Sequence, residues 1–243
     1  MRMRSQLYMV EIRPIWPDLL SWARGNGLLS AHEPRTDLGY LTHAWLRAAY
    51  GDLAPKPFRI WGARCKRPRI LGYARNDAEC LIEHARSFAD PSVLATLEGG
   101  SNTTIRSKPM PMSWPAGKVL GFETIVAATR RTTGGVEKDA LLVEAERQHQ
   151  KTGLCRETVY RSWFTGRLQP GLRLLDWNMD AFRLVHRMRR TQKKPRKTHW
   201  ITIPEIMVRG RIRIDEDDAL IPWLECGVGR HTAFGYGMVL LLP

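Results

Sequence analysis

Cysteine is scarce in this chain of 243 residues, and the four present, Cys65, Cys80, Cys155 and Cys226, are widely scattered. They make no Cys-x-x-Cys pair and no Cys/His cluster, so neither a zinc site nor a disulfide framework is indicated, and they read as buried thiols. No apolar run approaches the length of a bilayer span and the N-terminus lacks a signal-peptide core, so the chain reads as cytoplasmic rather than membrane-bound. No repeat of fixed period is visible, although two lobes can share a fold without sharing sequence. The most informative shortage is of negative charge. Asp and Glu number 24 against 38 Lys and Arg, a net charge of +14. Such a surplus repels itself unless a polyanion relieves it, which makes nucleic acid the leading partner; a basic membrane-surface protein is the competitor on charge alone. No cofactor is suggested. A composition that is 43% hydrophobic and 26% charged is that of an ordinary globular chain with a real core.

What is present begins with Gln6 to Ile12 (QLYMVEI), rich in strand formers. Ser21 to Arg35 combines Gly, Asn and Pro as loops do, ending at Thr36 as an N-cap. From Asp37 to Tyr50 (DLGYLTHAWLRAAY) Leu38, Leu41, Trp45 and Ala49 recur at helical spacing. At about 100° per residue, Tyr40, His43 and Arg47 then share the opposite face. The strand-like Pro57 to Trp61 leads into Arg64, Lys66, Arg67 and Arg69, and a helical stretch follows at Glu79 to Phe88. This is the opening of a ferredoxin-like lobe.

Prolines punctuate Ser107 to Gly117, which reads as a linker and divides the chain into a lobe at 1–106 and another at 118–243. Lys118 to Ala127 has the look of a buried strand, ended by Arg130 and Arg131 beside a Thr-Thr-Gly-Gly turn, and Lys138 to Gln150 reads as a helix. Residues Glu157 to Asp180 are ambiguous. Between Arg183 and Arg213 stand eleven basic residues and one acidic one, Glu205. The heart of that window, Arg187 to Lys197 (RMRRTQKKPRK), is too polar to bury and is expected as a loop or frayed extension. In Val208 to Ile214 (VRGRIRI) strict alternation puts Arg209, Arg211 and Arg213 in a row on one strand face. Asp215 to Asp218 then introduce a short helix in which Pro222 sits awkwardly. The chain ends in GVGRHTAFGYG, where Gly227, Gly229, Gly235 and Gly237 permit close backbone approach and can free amides for phosphate, followed by MVLLL as a closing buried strand.

The ending VRGRIRIDEDDALIPWLECGVGRHTAFGYGMVLLLP resembles the C-terminal signature of the CRISPR repeat-processing endoribonucleases, in the branch that serves Cascade complexes. DLGYLTHAWL is similar to that branch's first helix, and GKVLGFETIVAATRR with KDALLVEAERQ to the opening of its second lobe. The resemblance implies an α+β fold of two ferredoxin-like (RRM-like) lobes in tandem with a C-terminal glycine-rich loop. It also implies metal-independent cleavage of CRISPR precursor RNA at repeat hairpins, with the protein staying on its product beside other effector subunits. Tyr40 and His43 would flank the scissile phosphate. Around Arg156 to Lys197 no match is seen. The pattern also resembles the small processing nucleases of plasmid-borne type IV systems, some of which use arginines where their relatives use histidine, and on that model the role would pass to Arg24, Arg35 or Arg47.

Cutting RNA without a metal requires a group to take the 2′-hydroxyl proton, one to protonate the departing 5′-oxygen, and positive charge for the phosphorane. His43 can carry a proton near neutral pH, Tyr40 can orient the hydroxyl, and Arg47 or Arg35 can stabilise charge. The products are then a 2′,3′-cyclic phosphate and a 5′-hydroxyl. A histidine on an amphipathic helix can equally be a surface residue. His32 reads as structural, and His231 as either an RNA contact or solvent-facing. The expected RNA-contacting set is Arg24, Arg64, Lys66, Arg67, Arg130, Arg131, Arg187, Arg189, Arg190, Lys193, Lys194, Arg196, Lys197, Arg209, Arg211 and Arg213, with Gly227, Gly229, Arg230, His231, Gly235 and Gly237 of the final loop. The segment Arg187 to Lys197 would suit the deep major groove of an A-form hairpin by charge and shape. Phe234 and Tyr236 could stack on bases, but aromatics beside glycine are more often core. Two other readings stand beside the nuclease: a non-catalytic RNA-gripping scaffold of an effector complex, and a general binder of structured RNA such as a ribosome-associated protein.

Overall fold

A computed structural model describes residues 6–29, 35–62, 68–97, 104–149, 153–190 and 198–242. The chain divides into two units, one of residues 1–112 with 233–235 and the other of residues 113–232 with 236–243.

The first unit runs β1 (Tyr8–Ile12), α1 (Trp16–Gly25), α2 (Leu38–Tyr50), β2 (Phe58–Trp61), β3 (Arg69–Ala74), α3 (Ala78–Phe88), the single turn α4 (Pro91–Leu94) and β4 (Ile105–Pro109). Its sheet has the order β2-β3-β1-β4 with every pair antiparallel, for example Val10 opposite Gly72 and Ser107. That is the ferredoxin-like circuit. Helix α1 is not expected from the sequence, where Ser21 onward has the composition of a loop. Pro17 lies in its first turn, where a missing N–H costs nothing, and Leu19 and Ala23, one turn apart, are buried. Helix α2 is capped by Asp37 rather than Thr36, since the Asp37 carboxylate accepts from the Tyr40 amide at 3.0 Å. Its inner face carries Leu41, Trp45 and Ala49 into a core with Val10, Ile12, Leu81 and Ile105. The indole N–H of Trp45 donates to Thr96 Oγ1 at 2.9 Å, so its complete burial leaves no unmet donor. Ser107 to Pro109, read as the start of a linker, pair with β1 instead.

The second unit repeats the circuit with β5 (Val119–Ala127), the small hairpin β6 (Thr129–Arg131) and β7 (Glu137–Asp139), α5 (Ala140–Arg147), α6 (Arg156–Thr165), β8 (Leu172–Arg190), β9 (Thr198–Ile214), α7 (Leu220–Cys226) and β10 (Val239–Leu242). Its sheet order is β10-β5-β9-β8, again antiparallel throughout. With the hairpin set aside, both units place their strands in the order fourth, first, third, second. Its core stacks Phe122 on Phe164 at 5.5 Å between ring centres and sets Trp223 edge-on to Phe122.

Several expectations need correction here. The basic stretch beginning at Arg187 is not a loop at its start, because residues 187–190 continue β8 and pair with Thr198 to Ile201. A two-stranded ladder satisfies its backbone groups across the pair whatever its side chains are, so polarity alone did not exclude a strand. Helix α5 begins at Ala140 and not at Lys138, since Lys138 and Asp139 are held in β7 and the Asp139 carboxylate caps Leu141 at 2.8 Å. Pro222 falls in the first turn of α7, where its missing donor has no helical partner to lose. Cys155 and Cys226 are exposed and Cys80 is half-buried, so the thiols are not core residues; Cys65 lies outside the described residues. The closing strand β10 is buried at Val239 and Leu240 but open at Leu242. Among the described residues no helix is long and apolar enough to cross a membrane, and no group of three His, Cys, Asp or Glu is placed to hold a metal ion.

Candidate functional site

In the first unit Tyr40 and His43 stand one turn apart on α2, and both meet Phe234. The Tyr40 ring lies parallel to that of Phe234 with centres 5.9 Å apart, and His43 meets it edge-on at 4.8 Å. Gly39 makes this possible. A Cβ there would sit 2.2 Å from the Phe234 carbonyl oxygen, so the helix admits the terminal segment only because position 39 has no side chain. Burial, and then the charges of Arg47 and Lys56, hold the pKa of His43 below its ordinary 6.5. The imidazole is therefore neutral at neutral pH and available as a proton acceptor.

The candidate cations near it differ in what they already do. Arg47 donates to the Gly51 carbonyl and to Asp52, each at 2.7 Å, closing the C-terminus of α2. Arg35 is exposed two residues before the Asp37 cap, and Arg24 is exposed in the last turn of α1. Lys56 was not singled out from sequence, and no spacing signals it; its charge reaches His43 through the fold. His32, Arg64, Lys66, Arg67, Lys193, Lys194, Arg196 and Lys197 lie outside the described residues, and Arg190 is described only as part of the β8 backbone.

The second unit contains the arginine row, and the alternation holds: Val208, Ile212 and Ile214 are buried while Arg209 and Arg211 are exposed and Arg213 partly so. Each member meets a carboxylate. Arg209 bonds Glu123 at 2.7 Å and reaches Asp180 at 3.3 Å, Arg211 pairs with Asp176, and Arg213 bonds Asp215 at 2.8 Å. Two further acids organise the β8 arm. Glu205, predicted only as the lone acid of a basic window, is buried and gathers Arg183, Arg187 and the Tyr236 hydroxyl, which donates to it at 2.6 Å. Arg187 also donates to that hydroxyl at 2.7 Å and lies over its ring at 4.8 Å. Tyr236 is thus a core residue rather than a stacking platform, and burial drives its pKa upward.

Glu137 is the second organiser. It accepts from Thr129 at 2.5 Å, meets His231 Nε2 at 2.6 Å and pairs with Arg189 at 2.9 Å, while Arg230 approaches to 3.6 Å. Burial by itself pushes the Glu137 carboxyl up, but the hydrogen bonds from His231 and Thr129 and the charges of His231 and Arg230 reverse this and hold it at about 2. His231 is therefore neither solvent-facing nor idle; its backbone is left-handed at φ 63° and its ring is fixed on a carboxylate. Arg131 donates to the Gly135 carbonyl at 3.1 Å within its own turn.

The final glycines serve packing first. A Cβ on Gly237 would sit 2.5 Å from the Val228 carbonyl oxygen. The amides of Gly227, Val228 and Gly237 donate to Trp223, Gly237 and Ile125 at 3.0, 2.9 and 2.7 Å, so these three are committed inside the unit. Gly229 and Gly235 also have positive φ, at 78° and 90°.

The family described as CRISPR associated protein matches residues 20–243. No curated protein sequence matches the chain. Among solved structures, a CRISPR endoribonuclease Cse3 bound to a 19-nucleotide RNA is similar at 16% identity and TM-score 0.59, covering 98% of this chain and 100% of that one. Thermus thermophilus Cse3, bound to an RNA representing a pre-cleavage complex, is similar at 17% identity and TM-score 0.55, with the same coverage. A chain of a CRISPR RNA-guided surveillance complex is similar at 15% identity and TM-score 0.56, covering 96% and 98%. At these identities the likeness establishes the tandem fold.

Proposed function

The chain belongs to the CRISPR-associated protein family, and from that premise we propose that it is a metal-independent endoribonuclease that cuts CRISPR precursor RNA at repeat hairpins and stays on the product within an effector complex. One observation carries the reading: Tyr40 and His43 of α2 share an aromatic seat with Phe234 of the terminal segment, and His43 is kept neutral there. In this mechanism neutral His43 takes the proton of the 2′-hydroxyl. The freed 2′-oxygen attacks phosphorus, the bond to the 5′-oxygen breaks, that oxygen takes up a proton from water while His43 returns its own to solvent, and a 2′,3′-cyclic phosphate and a 5′-hydroxyl remain. Tyr40 orients the attacking group. The phosphorane charge is assigned to Arg35 or Arg47, with Lys56 as a further cation acting on the site. The net charge of +14 and the β8–β9 arm, with Arg183, Arg187 and Arg189 fixed along it, suit an RNA duplex gripped by shape and charge. Solved relatives with the same fold carry RNA or sit in an RNA-guided complex, which supports RNA and effector subunits as partners.

The test is incubation of the full chain with repeat-hairpin RNA in EDTA. Cleavage at one position, with a cyclic phosphate on the upstream product, is the expected result. Tight binding without cleavage would make the chain a scaffold, and equal affinity for unrelated hairpins would make it a general RNA binder.

A further inference from the structure

In the second unit Arg173, Arg183, Arg187, Arg189, Arg209, Arg211 and Arg213 each have a carboxylate within 3.3 Å. Arg130, Arg167 and Arg230 stand apart from that pattern. Arg167, just past α6, donates to the carbonyls of Trp163 at 2.7 Å and Thr129 at 3.4 Å, and its guanidinium lies 3.9 Å over the Trp163 ring. The Thr129 carbonyl binds it directly beside Arg130. Gly229 packs against the same tryptophan and lies close to Arg167 Cδ, which brings the following residue, Arg230, to this spot, and the backbone of Arg230 bridges to Ala127. Nε of Arg130 and Nε of Arg230 are both buried with no hydrogen-bond acceptor among the described residues. The nearest acid to Arg230, Glu137, is 3.6 Å away and already holds His231, Thr129 and Arg189. Burial and the charges of Arg130 and Arg230 pull Arg167 down to about 10, so it remains a cation in a cluster of cations.

Three guanidiniums held together by the fold, two of them with buried donors that lack acceptors, are destabilising until an anion with several oxygens arrives. The geometry points to a phosphate-binding site formed by Arg130, Arg167 and Arg230. This rests on the RNA-binding reading above and deepens it, since it adds Arg167 and assigns one particular phosphate clasp among many basic residues. The site takes a phosphate of a ribonucleotide. Arg130 also lines a cavity of about 520 Å³ with Thr158 and Ser162 on α6 and with Glu144, whose carboxylate is bonded to Arg147 and Gln148, which leaves room for the attached nucleoside beside it.

The experiment measures the affinity of the full chain for a repeat-hairpin RNA over a salt series, in wild type and in Arg130→Gln, Arg230→Gln and Arg167→Ala. The two glutamine variants keep side-chain bulk and guard against misfolding in the third. Each is expected to weaken RNA binding about tenfold or more, as loss of a charge-assisted contact does, and to flatten the log–log salt slope by about 0.7–0.9. A parallel titration with inorganic phosphate and adenosine 5′-monophosphate separates the sources. A flattened RNA slope without nucleotide binding assigns the site to the RNA backbone, whereas nucleotide binding lost in the variants with an unchanged RNA slope assigns it to a free nucleotide. Wild-type RNA binding with neither response altered in any variant overturns the site. Failure of the wild type to bind RNA at all overturns the functional reading instead, and the phosphate titration still decides the clasp.

Discussion

Gly39→Ala tests how the terminal segment is seated on the helix that carries Tyr40 and His43. Gly39 is the second residue of α2, and alanine would favour the helix by about 1 kcal/mol on propensity alone. Space decides otherwise. The added Cβ would lie 2.2 Å from the Phe234 carbonyl oxygen and 3.1 Å from its carbonyl carbon, and the atoms in the way are backbone, which cannot swing aside as a side-chain tip can. Reaching an ordinary contact of 3.4 Å requires the two segments to part by about 1.2 Å. Overpacking of this kind costs about 1–3 kcal/mol, so after the propensity gain the net loss of stability is about 0–2 kcal/mol. The effect on chemistry is larger, because Phe234 fixes both rings and a misplacement of about 1 Å typically costs about a hundredfold in rate. Single-turnover cleavage of a repeat hairpin, read beside urea unfolding, should therefore show a rate lowered about a hundredfold in a protein that still folds. Gly25→Ala is the control: nothing lies within 4 Å of its added carbon, and both rate and stability should stay close to wild type. A Gly39→Ala protein that cuts at the wild-type rate would refute the claim that the Phe234 seat belongs to the active site.

His43→Ala should lower the cleavage rate at least a hundredfold while leaving RNA affinity nearly intact, measured by single-turnover assay and filter binding; undiminished cleavage would pass the role to the arginines. Because burial and two cations depress the His43 pKa, the acid limb of kcat/KM should fall below pH 6.5. Lys56→Gln removes one of those cations, makes the imidazolium less unfavourable and so raises the pKa, which should move that limb upward; a limb that stays put or moves down would contradict the assignment. Tyr236→Phe keeps the ring but strips the hydroxyl shared by Glu205 and Arg187, and should cost about 1–3 kcal/mol in urea unfolding, against which an unchanged midpoint would count.

Where a buried face is long enough to repeat, its residues could be read from spacing alone. Leu41, Trp45 and Ala49 recur at helical intervals because one side of α2 meets a core, and Val208, Ile212 and Ile214 alternate because one side of β9 does. Helix α1 escaped because its burial rests on the pair Leu19 and Ala23, too short a stripe to stand out beside a following Gly-Asn-Gly. The β8–β9 arm escaped for the opposite reason. Its outer half has no continuous apolar face, and its strand character comes from backbone pairing between segments joined by residues 191–197, which leaves no period for a sequence to display.

The site divides along the same line. Tyr40 and His43 could be placed on one face of a helix because three residues is a local distance, while their meeting with Phe234 spans nearly the whole chain and is signalled only by a glycine at position 39 whose purpose is invisible until the partner arrives. Charge behaves differently again. A count of basic residues treats Arg209, Arg211 and Arg213 as equivalent to Arg130, but the fold bonds Glu123, Asp176 and Asp215 to the first three and sets Arg130 beside Arg167 and Arg230, with Glu144 near enough to feel its charge but not bonded to it. Arginines with their own carboxylates must exchange one anion for another, or share themselves between the two, to hold a phosphate, so each gains less from the contact. Those that the fold crowds together, with no carboxylate within hydrogen-bond distance among the described residues, gain most, so in this chain the strongest phosphate affinity should lie with Arg130, Arg167 and Arg230 and not where the sequence is most densely basic.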